Sequence, residues 1–156
     1  MIDTPQILQA VSQQVAIIRF TIPREQMPQI MGPAVQELLG AISAQEAGPA
    51  GALFSHHLRA PDATFDFELG FPVTRPIAPA GRVQPGLLPA GTVARTVYRG
   101  GYEGLGGAWG EFMRWIGSNG HKPAANLWER YLSGPEASQD PAQWQTELNR
   151  PLLRAG

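Results

Sequence analysis

The chain has no cysteine. That excludes disulfides, thiol catalysis and cysteine-ligated metal, and it fits a reducing cytoplasm. Neither sign of charge is in excess: 12 Lys and Arg against 13 Asp and Glu leave a formal net charge of −1. Nothing in that balance directs the chain to nucleic acid or to an anionic membrane surface. No apolar run approaches the roughly 20 residues that span a bilayer, and Met1 to Pro5 lack the basic and apolar stretches of a signal peptide. Metal-binding spacing is also missing. His56 and His57 are adjacent and would point to opposite faces of a strand, and His121 is distant, whereas zinc needs three or four convergent ligands. Neither a Gly-x-Ser-x-Gly elbow nor the GxGxxG or Walker spacing occurs. No metal and no cofactor are expected.

What is present is globular. Hydrophobic residues make up 43% and charged residues 16% of 156, a composition that folds rather than staying disordered. The length suits one domain with a core, or two small modules sharing one. The 18 Gly and 15 Pro fall mostly between periodic segments and read as turns.

The chain also repeats itself. A shift of 74 positions lays Gly32–Leu58 on Gly106–Leu132 without gaps, matching Glu37 with Glu111, Ile42 with Ile116, Pro49 with Pro123 and Leu53 with Leu127. Small insertions then align Glu68 with Glu147 and Pro72 with Pro151. The expected layout is a single domain over 1–156, with repeat 1 at about 5–75, a Pro- and Gly-rich linker at about 76–89 and repeat 2 at about 90–153.

Each half reads strand, helix, strand, strand. Val15–Phe20, Leu53–Leu58 and Thr64–Phe71 are strand-like in the first half, the last with alternating Phe65, Phe67, Leu69 and Phe71. Its helix carries Leu38, Leu39 and Ile42, with Pro28 suited to a first turn and Pro33 expected to kink or delay it. The second half offers Thr92–Tyr98, a helix with the apolar stripe Leu105, Trp109, Phe112 and Ile116, and strands over Leu127–Leu132 and Trp144–Asn149. The fold class implied is α+β, with two such units related by a pseudo-two-fold axis and antiparallel sheets forming a central ligand cleft.

The candidate site centres on Glu129, a carboxylate among Leu127, Trp128, Tyr131 and Leu132 that is costly to bury without a partner. Strand alternation puts Glu129 and Tyr131 on one face and Trp128, Arg130 and Leu132 on the other. A Glu beside an aromatic ring suits an organic cation, with cation–π contact worth about 0.5–2 kcal/mol. It equally suits a general base with a tyrosine hydroxyl nearby. The alternative is an exposed edge-strand Glu paired with Arg130 or Arg99. Glu68 and Glu147, equivalent in the two repeats, read as structural acceptors. His57 matches Tyr131 in the repeat and is a candidate pocket residue. The tryptophans at 109, 115, 128 and 144 read as core or pocket wall.

Several stretches together resemble the GyrI-like small-molecule-binding domain, the effector-binding domain of AraC- and MerR-type bacterial regulators. They are Arg99–Leu105, Trp115–Gly120, Leu127–Leu132 and Thr146–Leu152 in the second half, with Gly32-Pro33, Leu53–His57 and Phe65–Val73 in the first. The resemblance covers nearly the whole chain. It implies a duplicated strand–helix–strand–strand fold whose cleft holds amphipathic, cationic, aromatic, drug-like compounds. It places the key acid at Glu129 and cleft aromatics at Tyr131, Tyr98 and Trp128, with Tyr102 and Trp109 behind them and His57 as the repeat counterpart. Some stand-alone members are similar to cofactor-independent hydrolases that open cyclopropane rings of toxins, which here would use Glu129 with Tyr98 or Tyr131. A gyrase-inhibitor-like protein-interaction module is a third implication. The duplicated domain fills the 156 residues with no helix-turn-helix, so direct nucleic-acid binding is not expected, nor is membrane association. The expected setting is a bacterial cytoplasm.

Overall fold

The computed structural model describes residues 2–59, 62–134 and 137–153. The chain divides into two compact units, Val11–Ala90 and the combination of Met1–Ala10 with Gly91–Gly156. Each is α+β, with one helix and an antiparallel four-stranded sheet.

In the unit Val11–Ala90 the strands are β2 (Gln13–Pro23), β3 (Phe54–His57), β4 (Thr64–Pro72) and β5 (Gln84–Leu88), and the helix is α1 (Met27–Ala44). The sheet order is β3-β4-β2-β5. Alternation on β2 and β4 sends Ile18, Phe20, Phe67 and Leu69 into a core sealed by Leu38 and Ile42 of α1. Burying side chains of this size contributes about 1.5–3 kcal/mol each. The helix starts at Met27 and continues through Pro33, so the expected delay does not occur. Pro33 and Gln29, the residue whose carbonyl loses its helical donor, are both exposed, so the lost bond falls on the solvent side of the helix.

The other unit contains β1 (Gln6–Ala10), β6 (Gly91–Arg99), β7 (Leu127–Ser133), β8 (Gln145–Pro151) and α2 (Leu105–Ser118). Its order is β1-β6-β8-β7. Ala108, Phe112 and Ile116 of α2 pack on Ala94, Tyr98 and Leu148 of the sheet. Each unit is therefore the expected strand–helix–strand–strand plus one added strand beside its first: β5 beside β2, and β1 beside β6. The segment read as a linker at 76–89 thus includes β5. Its Pro85 and Gly86 are tolerated because β5 is the outer strand of its unit's sheet, where one row of backbone groups has no partner to satisfy.

Close backbone approach fixes one glycine. A Cβ on Gly70 would collide with the Ala16 carbonyl oxygen on β2 and meet Ile17 Cγ2 at 2.8 Å. Gly70→Ala is expected to cost about 1–3 kcal/mol, the usual range for overpacking, read as a lowered urea midpoint with an unchanged slope.

Candidate functional site

Glu129 lies on the helix-covered face of its sheet. Opposed residues in antiparallel strands share a face. Glu129 is opposite Leu148 and Tyr131 opposite Thr146 on β8, while Thr96 and Tyr98 of β6 oppose the same two residues. Leu148 and Tyr98 pack against α2. The carboxylate therefore points towards its own helix, not to the sheet face that the helix leaves uncovered. A register shift between Tyr131 and Ser133 follows directly; such bulges re-aim side chains beside functional sites.

Both carboxylate oxygens accept a hydrogen bond. The Trp109 indole Nε1–H donates to Oε2 at 2.7 Å, and the Tyr131 hydroxyl donates to Oε1 at 2.9 Å. Among the described residues no Lys, Arg or His forms an ion pair with Glu129. Arg130 pairs with Glu147 and Arg99 with Asp3, so the exposed, Arg-paired reading of this residue does not hold. Enclosure strips solvent from the carboxylate and pushes its pKa above the ordinary glutamate value, and the two donated bonds act in the opposite direction.

Aromatic rings extend from this acid. The Tyr102 ring stands nearly perpendicular to that of Tyr131, 6.2 Å between centroids, and the Trp144 ring lies 5.0 Å from Tyr102. Trp109 is backed by Phe112 at 5.6 Å. Tyr102 is 40% exposed. Its backbone belongs to a short 3-10 turn, Tyr102–Gly104, that follows Gly100. Gly100 has φ of 146°, a conformation open essentially to glycine alone.

The remaining candidates sit differently. Tyr98 is 7% exposed and spends its hydroxyl on the Gly101 carbonyl at 2.8 Å, so it is a core residue and not a proton donor to Glu129. Trp128, expected among the cleft aromatics, points to the face opposite Glu129 and is 1% exposed. His57 belongs to the other unit, where it stacks on Phe67 and meets Phe65 edge-on, each at 5.3 Å. Burial, aided by neighbouring His56, lowers its pKa to about 4, so it is neutral at pH 7. Glu147 accepts from Arg130 and from Asn149, each at 3.0 Å. Its counterpart Glu68 lies 3.4 Å from His56. Both duplicated acids thus pair with a basic residue of the adjacent strand, the structural role expected of them.

Trp109, which the helical stripe reads as core and the resemblance sets behind the cleft aromatics, turns its indole N–H onto Glu129, whereas Trp144 reads from the sequence only as core or pocket wall. Their signal was present only as aromatic residues near strand and helix starts. A surface groove of about 310 Å³ lies between Ile2–Pro5 and Glu111 and Trp115, and Glu129 takes no part in it. Among the described residues no group of three or more His, Asp or Glu could hold a metal, and no helix is long and apolar enough to cross a membrane.

The model of the GyrI-like small molecule binding domain matches residues 3–152; the chain belongs to this family. No curated protein sequence matches it. Among solved structures, the crystal structure of the EcmrR C-terminal domain superposes with a TM-score of 0.85 at 22% identity, covering 97% of this chain and 98% of that one. The EcmrR chain in its DNA complex gives 0.84 at 22% identity. There 97% of this chain is covered but only 58% of EcmrR, so the chain spans little more than half of that regulator. SAV2435 bound to tetraphenylphosphonium gives 0.67 at 13% identity, covering 97% and 94% of the two chains. A hydrolase from Listeria innocua gives 0.68 at 13%, covering 96% and 91%.

Proposed function

We propose that this domain binds amphipathic aromatic cations, with Glu129 as the counter-charge and Trp109 and Tyr131 as the surrounding aromatic groups. One observation carries the reading: a desolvated carboxylate held at both oxygens by neutral donors, without a cation in ion-pair contact among the described residues. Leaving such a group unpaired costs free energy that an entering cation recovers. The aromatic donors position the carboxylate and offer ring faces to the same charge. That SAV2435, of the same fold, binds the lipophilic cation tetraphenylphosphonium agrees with this reading.

The test is a calorimetric titration with tetraphenylphosphonium and with neutral triphenylmethanol across pH. Cation affinity is highest where Glu129 is ionised and falls as pH drops through its raised pKa, so the loss begins above the pH at which an ordinary glutamate titrates. The neutral probe should not follow that curve. Parallel pH profiles for the two probes would remove the charge-pairing account.

A second reading has one observation in its favour. The Tyr131 hydroxyl on a carboxylate of raised pKa is an arrangement suited to a general base that activates water, and a Listeria innocua neighbour is named a hydrolase. In this reading Glu129 takes a proton from water as the water oxygen bonds to a ring carbon; the C–C bond to that carbon breaks, its electron pair passes to the conjugated carbonyl of the alkylator, and the proton returns from Glu129 to that oxygen, with Tyr131 orienting the water. It ranks second because both carboxylate oxygens already accept a bond. Multiple turnover of a cyclopropane-bearing alkylator would move it to first place.

A further inference from the structure

Trp144 is a large, partly exposed aromatic side chain held by hydrogen bonds of its ring and its backbone. Its indole N–H donates to the Ser138 carbonyl at 2.8 Å. Its backbone N–H bonds Pro141 O, and its carbonyl accepts from Gly100 N, each at 3.0 Å. The turn before it, Pro141–Gln143, is capped by Asp140, whose carboxylate accepts from Ala142 N at 3.0 Å. Strand alternation sets Trp144 on the same face as Thr146, the face of Glu129 and Tyr131. Against this fixed ring leans Tyr102, 40% exposed on its glycine-preceded turn. Tyr102 in turn touches Tyr131, which bonds Glu129. The rings thus form a continuous path from carboxylate to solvent: Tyr131, Tyr102, Trp144.

From this geometry we infer that Tyr102 and Trp144 form an aromatic shelf that selects ligands by an aryl group reaching outward from the charge. The inference rests on the cation reading of Glu129. Trp144 supplies a ring already immobilised, so stacking on it loses little side-chain freedom. Tyr102, hinged after Gly100 and Gly101, supplies the adjustable ring that closes on the aryl group. Charge at Glu129 and rings at the shelf are then separate determinants: the first sets that a cation binds, the second which cation.

Binding of tetraphenylphosphonium, tetraethylphosphonium and triphenylmethanol to the full chain tests this. Trp144→Leu should weaken tetraphenylphosphonium about tenfold, the scale of one aromatic contact, and leave tetraethylphosphonium within about twofold. Trp144→Phe, which keeps a ring but loses the Ser138 bond, should restore most of the aryl affinity. Equal loss of both phosphonium ions in Trp144→Leu, or no loss of either, overturns the shelf. Should Trp144→Leu fail to fold by circular dichroism, Tyr102→Leu carries the same comparison, because that side chain is 40% exposed and lies outside the core. Glu129→Gln separates the two proposals: it should weaken both phosphonium ions and leave triphenylmethanol unchanged. If it weakens neither, the cation reading fails, while aryl-selective loss in Trp144→Leu would still support the shelf. Wild-type protein that binds none of the three probes overturns both.

Discussion

Glu129→Gln is expected to weaken tetraphenylphosphonium binding at least thirtyfold, and to change triphenylmethanol binding less than threefold. The size follows from the setting. Removing one partner of a desolvated, hydrogen-bonded charge pair costs about 2–5 kcal/mol, and each 1.4 kcal/mol is a factor of ten. The substitution changes charge at nearly constant shape. The Gln carbonyl accepts the Trp109 N–H, and the amide group donates to the Tyr131 oxygen, so both contacts at 2.7 and 2.9 Å can persist. Stability should move the other way. A glutamate whose folded pKa is raised binds its proton more tightly in the folded state. Its contribution to stability is greatest below the unfolded pKa and is lost as pH rises through the folded one. Above its folded pKa the ionised Glu129 is thus a burden on the unliganded fold, and at such pH Glu129→Gln should unfold at a slightly higher temperature. Weaker cation binding with a raised midpoint would show that the acid is kept for binding. Weaker binding with a lowered midpoint would instead mark Glu129 as structural.

The elements legible in the sequence were those with a strong period. The Phe65–Phe71 alternation gives β4, the stripe of Phe112 and Ile116 gives α2, and the repeat fixed equivalent strands in both halves. β1 and β5 were not legible. Gln6–Ala10 has an irregular exposed pattern, and Gln84–Leu88 contains Pro and Gly. Outer strands in each unit bury little, so selection for alternation is weak and hydrogen bonding alone places them. At the site, alternation along β7 put Glu129 with Tyr131 and away from Trp128, and both placements hold. Alternation could not say which face meets the helix. Nor could it say that the Trp109 N–H, 20 residues away, would end at Glu129 Oε2. An indole in an apolar stripe looks the same whether its nitrogen is idle or bonded. Tyr98 illustrates the reverse: its hydroxyl is consumed by the nearby Gly101 carbonyl, a turn geometry that Gly100-Gly101 permits but does not announce. The divergence of the repeats was plain throughout. Ser55, fully buried, stands where Glu129 stands in the other copy, so the repeated fold does not demand an acid there.

Phe112→Ala should destabilise the domain by about 3–5 kcal/mol, the cost of emptying a fully buried phenylalanine site. Phe112 has no exposed surface. The upper part of that range is expected because α2 has little helical preference of its own. Four of its 14 residues are glycine, at 106, 107, 110 and 117, each about 1 kcal/mol less favourable than alanine in a helix interior. The helix is therefore held mainly by Ala108, Phe112 and Ile116 against the sheet, and Phe112 is the largest of the three. Loss of 3–5 kcal/mol from a total of about 5–15 is a large fraction and should appear as a clear drop in the urea midpoint. The site should suffer as well. Phe112 backs Trp109 at 5.6 Å, and Trp109 holds one oxygen of Glu129, so the variant should bind cations more weakly even where it is still folded. Gly106 and Gly107 have open space where a Cβ would stand. Adding alanine at either position should return up to about 1 kcal/mol by helix preference alone. If that addition raises the midpoint but not the affinity, the helix serves the site through the Phe112–Trp109 contact. If both rise together, Phe112 acts on the site only by keeping α2 folded.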